Sequence, residues 1–280
     1  MGNRKIRLAM GQMLVEGGRP DANLARAEQM IVDAAHAGRD IVVLPECLDF
    51  GWGDPSAREL AGAIPGNHSS RLCAAARKAK ICVVAGLAER AGERLYNSAI
   101  FVSPDGEIIL KHRKINELSV VQSLYATGDR LEVAHTSLGA MGVNICADNF
   151  PSSLALGHSL ARMGAQMILS PCAWAVVADH DNESEPYGGM WKESYSTLAR
   201  LYDIAIVGVS NVGWLTAGPW EGRKCIGCSL AVGPEGNVVA VGAYGEDAES
   251  LIVCELDLIP RQATGTEYAK MLQRRGYDGP

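Results

Sequence analysis

Two runs, 41–44 (Ile-Val-Val-Leu) and 81–87, carry no charged residue and no alternation of polar with apolar positions. A strand made of such a run needs cover on both faces, which excludes a sheet washed by solvent on one side. Amphipathic helical segments lie beside them. Pro20-Asp21 opens a helix with Asp21 as its cap, Leu24, Ala27, Ile31, Ala34 and Ala35 as its apolar stripe, and Gly38 as its stop. Asn67 caps a second helix that runs through Lys78. The pattern predicts further strands at 6–13, 95–102, 107–113, 131–136, 141–145, 166–169, 204–209, 229–232, 238–241 and 251–255, and helices at 152–164 and 187–202. Turns at Ser103-Pro104-Asp105-Gly106 and Pro234-Glu235-Gly236-Asn237 add hairpins. Crossover helices mixed with hairpins imply an α/β protein with a mixed sheet or two sheets, helices outside. No repeat and no Pro/Ser-rich linker divides the chain, so one domain covers 1–258 and a short tail covers 259–280.

Charge and cysteine usage narrow the class. The 280 residues carry a net charge of −6, which argues against nucleic acid, whose binders show a basic stripe. The Met1-Gly2-Asn3-Arg4-Lys5-Ile6 start has no secretory apolar region, and Ile6 breaks the myristoylation pattern. Apolar runs are too short to span a bilayer. A cytoplasmic protein with no membrane contact is expected. Eight cysteines are about 3% of the chain, well below the roughly 8–10% of a disulfide scaffold. Cys82 and Cys254 sit in strand-like runs, where a free thiol packs as a small apolar group. A reducing compartment fits.

Three reactive side chains directly follow apolar strands. Glu46 ends Val42-Val43-Leu44-Pro45-Glu46, at the rim where α/β folds commonly place chemistry. Lys114 ends Ile108 to Lys114, and strand alternation puts Ile108, Leu110, His112 and Lys114 on one face, with Lys111 and Arg113 opposite. Cys146 ends Met141 to Cys146, just before Pro151-Ser152-Ser153, which has the makings of a helix start. Dipoles there favour a thiolate. Each residue alone also fits an ordinary surface or packing role. Together they make chemical sense. A thiolate attacks a carbonyl or nitrile carbon, a carboxylate shuttles the proton from the thiol to the leaving amine, and an ammonium with a backbone N–H stabilises the oxyanion, at about 3 kcal/mol per donor.

The ordered motifs Leu44-Pro45-Glu46, His112-Arg113-Lys114 and Ile145-Cys146-Ala147-Asp148-Asn149-Phe150-Pro151 resemble the nitrilase (carbon–nitrogen hydrolase) superfamily. The segment from Gly164 to Trp174, then Ser210-Asn211-Val212-Gly213, Gly227-Cys228-Ser229 and Gly233-Pro234-Glu235-Gly236, continue the likeness over roughly 4–257. The resemblance implies an α-β-β-α sandwich, with two mixed sheets between outer helices, and association into homodimers or larger homo-oligomers, with the tail as a candidate contact. It implies Glu46 as general base and acid, Lys114 as oxyanion stabiliser and Cys146 as nucleophile, with the Ala147 N–H as second oxyanion donor. A thioester forms, ammonia or an amine leaves, and water releases the acid, with no metal and no organic cofactor.

Three departures from the family pattern bear on activity and on substrate. Many members carry a second Glu shortly after the lysine segment, but 119–128 contains no acid, and Glu117 is the nearest candidate, out of register. Its absence motivates a reading of another class, a non-catalytic relative that binds a ligand or partner. No Arg follows Cys146 until Arg162, which argues against N-carbamoyl-amino-acid hydrolysis, and Ala147-Asp148 replaces the Trp-Glu usual in true nitrilases. An amide substrate is favoured over a carbamoyl compound or a nitrile. Phe50, Trp52, Cys172 and Trp174 are candidate pocket residues. Cys225-Ile226-Gly227-Cys228 lacks a second ligand pair for zinc and lies too late for a thioredoxin-like motif, so strand packing is its reading.

Overall fold

The computed structural model describes residues 4–279; the Met1-Gly2-Asn3 start, with its failed lipidation pattern, and Pro280 lie outside them. In chain order the elements are β1 (Arg4–Gln12), α1 (Pro20–His36), β2 (Ile41–Val43), α2 (Ala57–Leu60), α3 (Asn67–Ala79), β3 (Cys82–Ala91), β4 (Arg94–Val102), β5 (Ile108–Arg113), β6 (Val133–His135), β7 (Ala140–Val143), α4 (Leu154–Met163), β8 (Met167–Cys172), β9 (Ala175–Val176), α5 (Gly189–Tyr202), β10 (Ala205–Ser210), β11 (Val212–Trp214), β12 (Lys224–Ile226), β13 (Leu230–Val232), β14 (Val238–Val241), β15 (Ser250–Leu258) and α6 (Glu267–Arg274).

Two six-stranded mixed sheets form the centre. One has the order β15-β1-β2-β3-β4-β5, the other β14-β13-β10-β8-β7-β6. In the first, β1, β2 and β3 run parallel and the outer pairs are antiparallel. In the second, β7, β8 and β10 are the parallel core. A small third sheet, β11-β12-β9, grows from the chain just beyond β8 and β10.

The run 41–44 shows why the sheets must be sandwiched. Ile41 and Val43 face the second sheet, in a cluster with Met141, Val143 and Val209. Val42 and Leu44 face the opposite way, against Leu24, Ala27 and Ile31 of α1 and Leu72 and Ala76 of α3. Each such side chain contributes about 1.5–3 kcal/mol by leaving water. Leu160 of α4 and Leu198 of α5 pack on the far side of the second sheet. The α-β-β-α sandwich follows, as the resemblance implies. The tail returns to this body, with Tyr268 and Leu272 of α6 buried in the same cluster.

Several local details differ from the sequence reading. Asp21 lies inside the first turn of α1 rather than at its cap, with Pro20 leading, and its carboxylate meets Arg71 at 3.3 Å. Asn67 is likewise helical. Gly66 precedes it, and the Gly66 N–H bonds Ser69 Oγ at 2.9 Å. Both caps shifted by one or two residues because a Pro or a backbone–hydroxyl exchange already satisfies the first turn. The short elements α2, β9, β11 and β12 carry too little periodicity to be read from sequence. Among the described residues no helix is long and apolar enough to cross a membrane.

Candidate active site

Glu46, Lys114 and Cys146 are each placed by the end of a strand. Glu46 lies three residues beyond β2, Lys114 directly beyond β5, and Cys146 three residues beyond β7. The alternation predicted along β5 holds from Leu110 onward, where Leu110, His112 and Lys114 are buried, but Ile108 packs on the opposite face, against the cluster of Leu24 and Leu72, because a register shift at Phe101/Val102 interrupts the strand pair. Lys111 and Arg113 point away and meet Glu89 at 2.5 and 2.8 Å.

Lys114 Nζ donates to Glu46 Oε1 at 2.6 Å, and Asn97 Nδ2 donates to the same oxygen at 2.6 Å. Glu46 Oε2 is buried with no hydrogen-bond partner. The Lys114 N–H also bonds the Asn97 carbonyl at 2.8 Å, so Asn97 of β4 ties both residues together. Asn97 gave no sequence signal, since it acts from the middle of a strand 51 residues from Glu46. Burial works against the Lys114 charge, but Glu46, with help from Glu117 and Cys146, outweighs it and holds the ammonium well above its ordinary pKa.

The glycines Gly86 and Gly128 make room. A Cβ on Gly86 would lie 2.5 Å from Glu46 Cα and 2.8 Å from the Pro45 carbonyl oxygen. Gly128 backs onto the Arg113 carbonyl, and its N–H bonds the Lys114 carbonyl at 2.8 Å. Only a residue without a side chain permits these approaches.

Cys146 has φ of 43°, in the left-handed region that is strained for a residue with a Cβ. It opens a 3-10 turn, Cys146–Asn149, rather than leading straight into α4; a second turn, Pro151–Ser153, intervenes. Its N–H bonds Ser170 Oγ at 3.1 Å. Asn149 Nδ2 reaches the same hydroxyl at 2.9 Å and pairs with Asn144 through two amide bonds. The expected thiolate is not the resting state. A hydrogen bond with Cys172, then burial, then the Glu46 charge push the Cys146 thiol well above its ordinary pKa, with Lys114 opposing. The short turn supplies too small a dipole to reverse that. Ala147 sits in the first turn, where a helix leaves its N–H without an acceptor of its own.

Glu117 is the largest surprise. It looked out of register, yet the chain turns after β5 and brings Glu117 Oε2 to 3.9 Å from Lys114 Nζ. Both of its oxygens are buried and unpartnered by hydrogen bonds. Burial pushes its pKa up to about 8, aided by Glu46 and Asp148 and opposed by Lys114.

The other candidates divide. Cys172 borders Cys146 and sits 3.9 Å from the Tyr195 hydroxyl. Trp174 stacks on Trp191 at 4.9 Å between ring centres, and its indole N–H is buried without a partner. Tyr187, whose hydroxyl accepts from Trp191 at 3.0 Å, lies within electrostatic reach of the Cys146 and Cys172 sulfurs, so it also borders the site. Phe50 is wholly buried against His68, and Trp52 packs against Trp220 with ring centres 4.7 Å apart and planes tilted by 51°. Burial pushes the Cys225 thiol up to about 12 and the Cys228 thiol up to about 11, so both stay protonated. Among the described residues no group of three or more His, Cys, Asp or Glu could hold a metal ion.

The profile of the carbon-nitrogen hydrolase family matches residues 7–265. The chain belongs to that family. A carbon–nitrogen hydrolase of this kind has relatives across distant organisms. It is 32% identical over 260 residues to a nitrilase of Pyrococcus abyssi, covering 90% of each chain. It is 33% identical over 268 residues to an omega-amidase of Xenopus tropicalis, covering 91% of this chain and 89% of that one. Its fold matches an amidase variant from Nesterenkonia sp. AN1 with a TM-score of 0.76 at 21% identity, over 96% of this chain and 94% of that one. That amidase carries the acetamide moiety of fluoroacetamide, added covalently at its active-site cysteine. This carbon–nitrogen hydrolase therefore has the fold that the resemblance implied.

Proposed function

We propose that this carbon–nitrogen hydrolase is an amidase that forms a thioester on Cys146 and releases ammonia and a carboxylic acid. The observation that carries the reading is the buried Lys114–Glu46–Asn97 arrangement, in which one Glu46 oxygen is fixed and the other is free.

Cys146 rests as a thiol, so the first step needs a base. Glu46 Oε2 takes the proton as sulfur attacks the amide carbon. Lys114 keeps its charge, and its ammonium, with the Ala147 N–H, stabilises the oxyanion. The tetrahedral intermediate collapses, Glu46 returns the proton to the leaving nitrogen, and ammonia departs. Water then attacks the thioester with Glu46 again as base; the C–S bond breaks as Glu46 returns the proton to the Cys146 sulfur, and the carboxylic acid departs. Glu117, uncharged near neutral pH, sits against Lys114 without placing a second full anion beside Glu46. Its presence removes the motive for a non-catalytic reading. The lack of an Arg between Cys146 and Arg162 and the Ala147-Asp148 sequence favour amides over N-carbamoyl acids and nitriles.

The test is ammonia release from a panel of primary amides, N-carbamoyl compounds and nitriles. Amides should turn over fastest; hydrolysis of nitriles alone would overturn the assignment. The same reading takes 1–258 as the catalytic unit and 259–280 as an oligomer contact in a cytoplasmic homodimer. Sedimentation should show a mass above one chain, lowered when the tail is removed.

A further inference from the structure

Asp148, two residues past Cys146, makes and breaks no bond in the scheme above, yet both of its oxygens are fully engaged in a buried site. Oδ1 accepts the N–H groups of Ile115 and Asn116 at 3.1 and 2.7 Å, the two residues that follow Lys114. Oδ2 accepts the Ile145 N–H at 3.0 Å, directly before Cys146. It also meets His112 Nε2 at 2.9 Å, on the same strand face as Lys114. Asn116 Nδ2 closes the loop by donating to the Ala147 carbonyl at 2.7 Å. One carboxylate therefore joins the segment that carries the cation to the turn that carries the thiol. Burial disfavours its charge, but His112, the Asn116 N–H and Lys114 hold Asp148 below its ordinary pKa.

The strained backbone of Cys146 needs such support, because a left-handed residue with a Cβ persists only where its surroundings over-determine it. We infer that Asp148 is a positioning residue that holds Cys146 and Lys114 in fixed relation, so that thiol and oxyanion donor meet the same carbonyl. The inference rests on Cys146 being the nucleophile.

Asp148 should also leave a mark on the pH profile. Glu117 is faced by Glu46 and Cys47 from the loop after β2, by Lys114 from the end of β5, by Tyr125, and by Asp148 from the nucleophile turn. The Asp148 charge is one of the forces raising the Glu117 pKa. Ionised Glu117 places a second anion beside Lys114 and Glu46, so on this reading its titration sets the alkaline limb of activity; neutralising Asp148 lets Glu117 ionise at lower pH and moves that limb toward acid. A residue that merely held the fold together would change the amount of folded enzyme and leave that midpoint alone.

The experiment compares the full-length wild type with Asp148→Asn, Asp148→Glu and Cys146→Ala. It measures kcat, KM, the alkaline midpoint, and the rate at which N-ethylmaleimide alkylates Cys146, read by intact mass. Asp148→Asn should lose about 100-fold in kcat and in alkylation with KM little changed, the scale of a small misplacement of reacting groups. Its alkaline midpoint should fall, and Asp148→Glu, which restores the charge in a longer side chain, should recover the midpoint without recovering kcat. Wild-type kcat and midpoint in Asp148→Asn would overturn the inference, as would a loss matched by the unfolded fraction. If Asp148→Asn does not fold, His112→Leu removes one of the four donors. It should cost roughly tenfold in kcat at unchanged KM, a milder misplacement; an unchanged kcat there would overturn the inference. Full turnover by Cys146→Ala would remove the nucleophile reading itself, and the inference with it.

Discussion

Lys114 and Glu117, three residues apart in the chain, face each other across 3.9 Å inside the protein, and the acid of the pair has its pKa pushed up to about 8. Burial is the main cause, with Glu46 and Asp148 adding to it. A carboxyl whose folded pKa lies above its ordinary 4.5 stabilises the fold fully below pH 4.5 and loses that contribution as pH rises toward about 8. The slope within the window is at most about 1.4 kcal/mol per pH unit. Glu117→Gln cannot ionise and should flatten it. Thermal melts from pH 5 to 9 check this, and equal slopes in the two proteins would refute the assignment of the window to Glu117.

Glu89 has the opposite sign. It is buried, which alone would raise its pKa, but Arg113, Lys111 and Ser98 all donate to it and bring it down to about 2. The Ser98 hydroxyl lies at 2.7 Å and Lys111 Nζ at 2.5 Å. Its stabilisation is complete above pH 4.5 and fades as pH falls toward 2. Glu89→Gln strands two cations and should cost about 3 kcal/mol in urea denaturation at pH 7. The difference from wild type should shrink in acid; a difference that stays constant down to pH 3 would contradict the account.

Gly86→Ala tests how closely Glu46 is held. The new Cβ would meet three backbone atoms of 45–47, at 2.5, 2.8 and 2.9 Å, none of which is a flexible side-chain end. Relief requires Glu46 to shift. We expect a loss of roughly 100-fold in kcat and about 1–3 kcal/mol in stability. Gly62→Ala, with nothing within 4 Å, is the control and should leave both unchanged. Ammonia release and melting temperature read the two effects.

Much of the frame was legible because it rests on periodicity. The apolar run 41–44 required cover on both faces and has it, and the alternation puts Lys114 inward with Leu110 and His112, where it lies, while the bulge beside Val102 turns Ile108 to the other face. Glu117, the nearest candidate for the second acid, reaches Lys114 despite its register because the backbone turns after Arg113 and makes i and i+3 neighbours. Asn97 and Ser170 left no trace, since each touches the site through hydrogen bonds spanning 51 and 24 residues. The left-handed backbone of Cys146 was also invisible, because a cysteine is an unusual occupant of that region and nothing in its neighbours announces it. The thiolate expectation failed for a related reason: sequence gives a strand end before a helix, but not the Cys172 thiol or the depth of burial.

The central claim is that Cys146 carries the acyl group. Enzyme acid-quenched during turnover of its best primary amide, digested and mass-mapped, should show the substrate acyl group on the peptide containing Cys146, with no such adduct and no ammonia release in Cys146→Ala. An acyl group on any other residue, or undiminished ammonia release by Cys146→Ala, would contradict it.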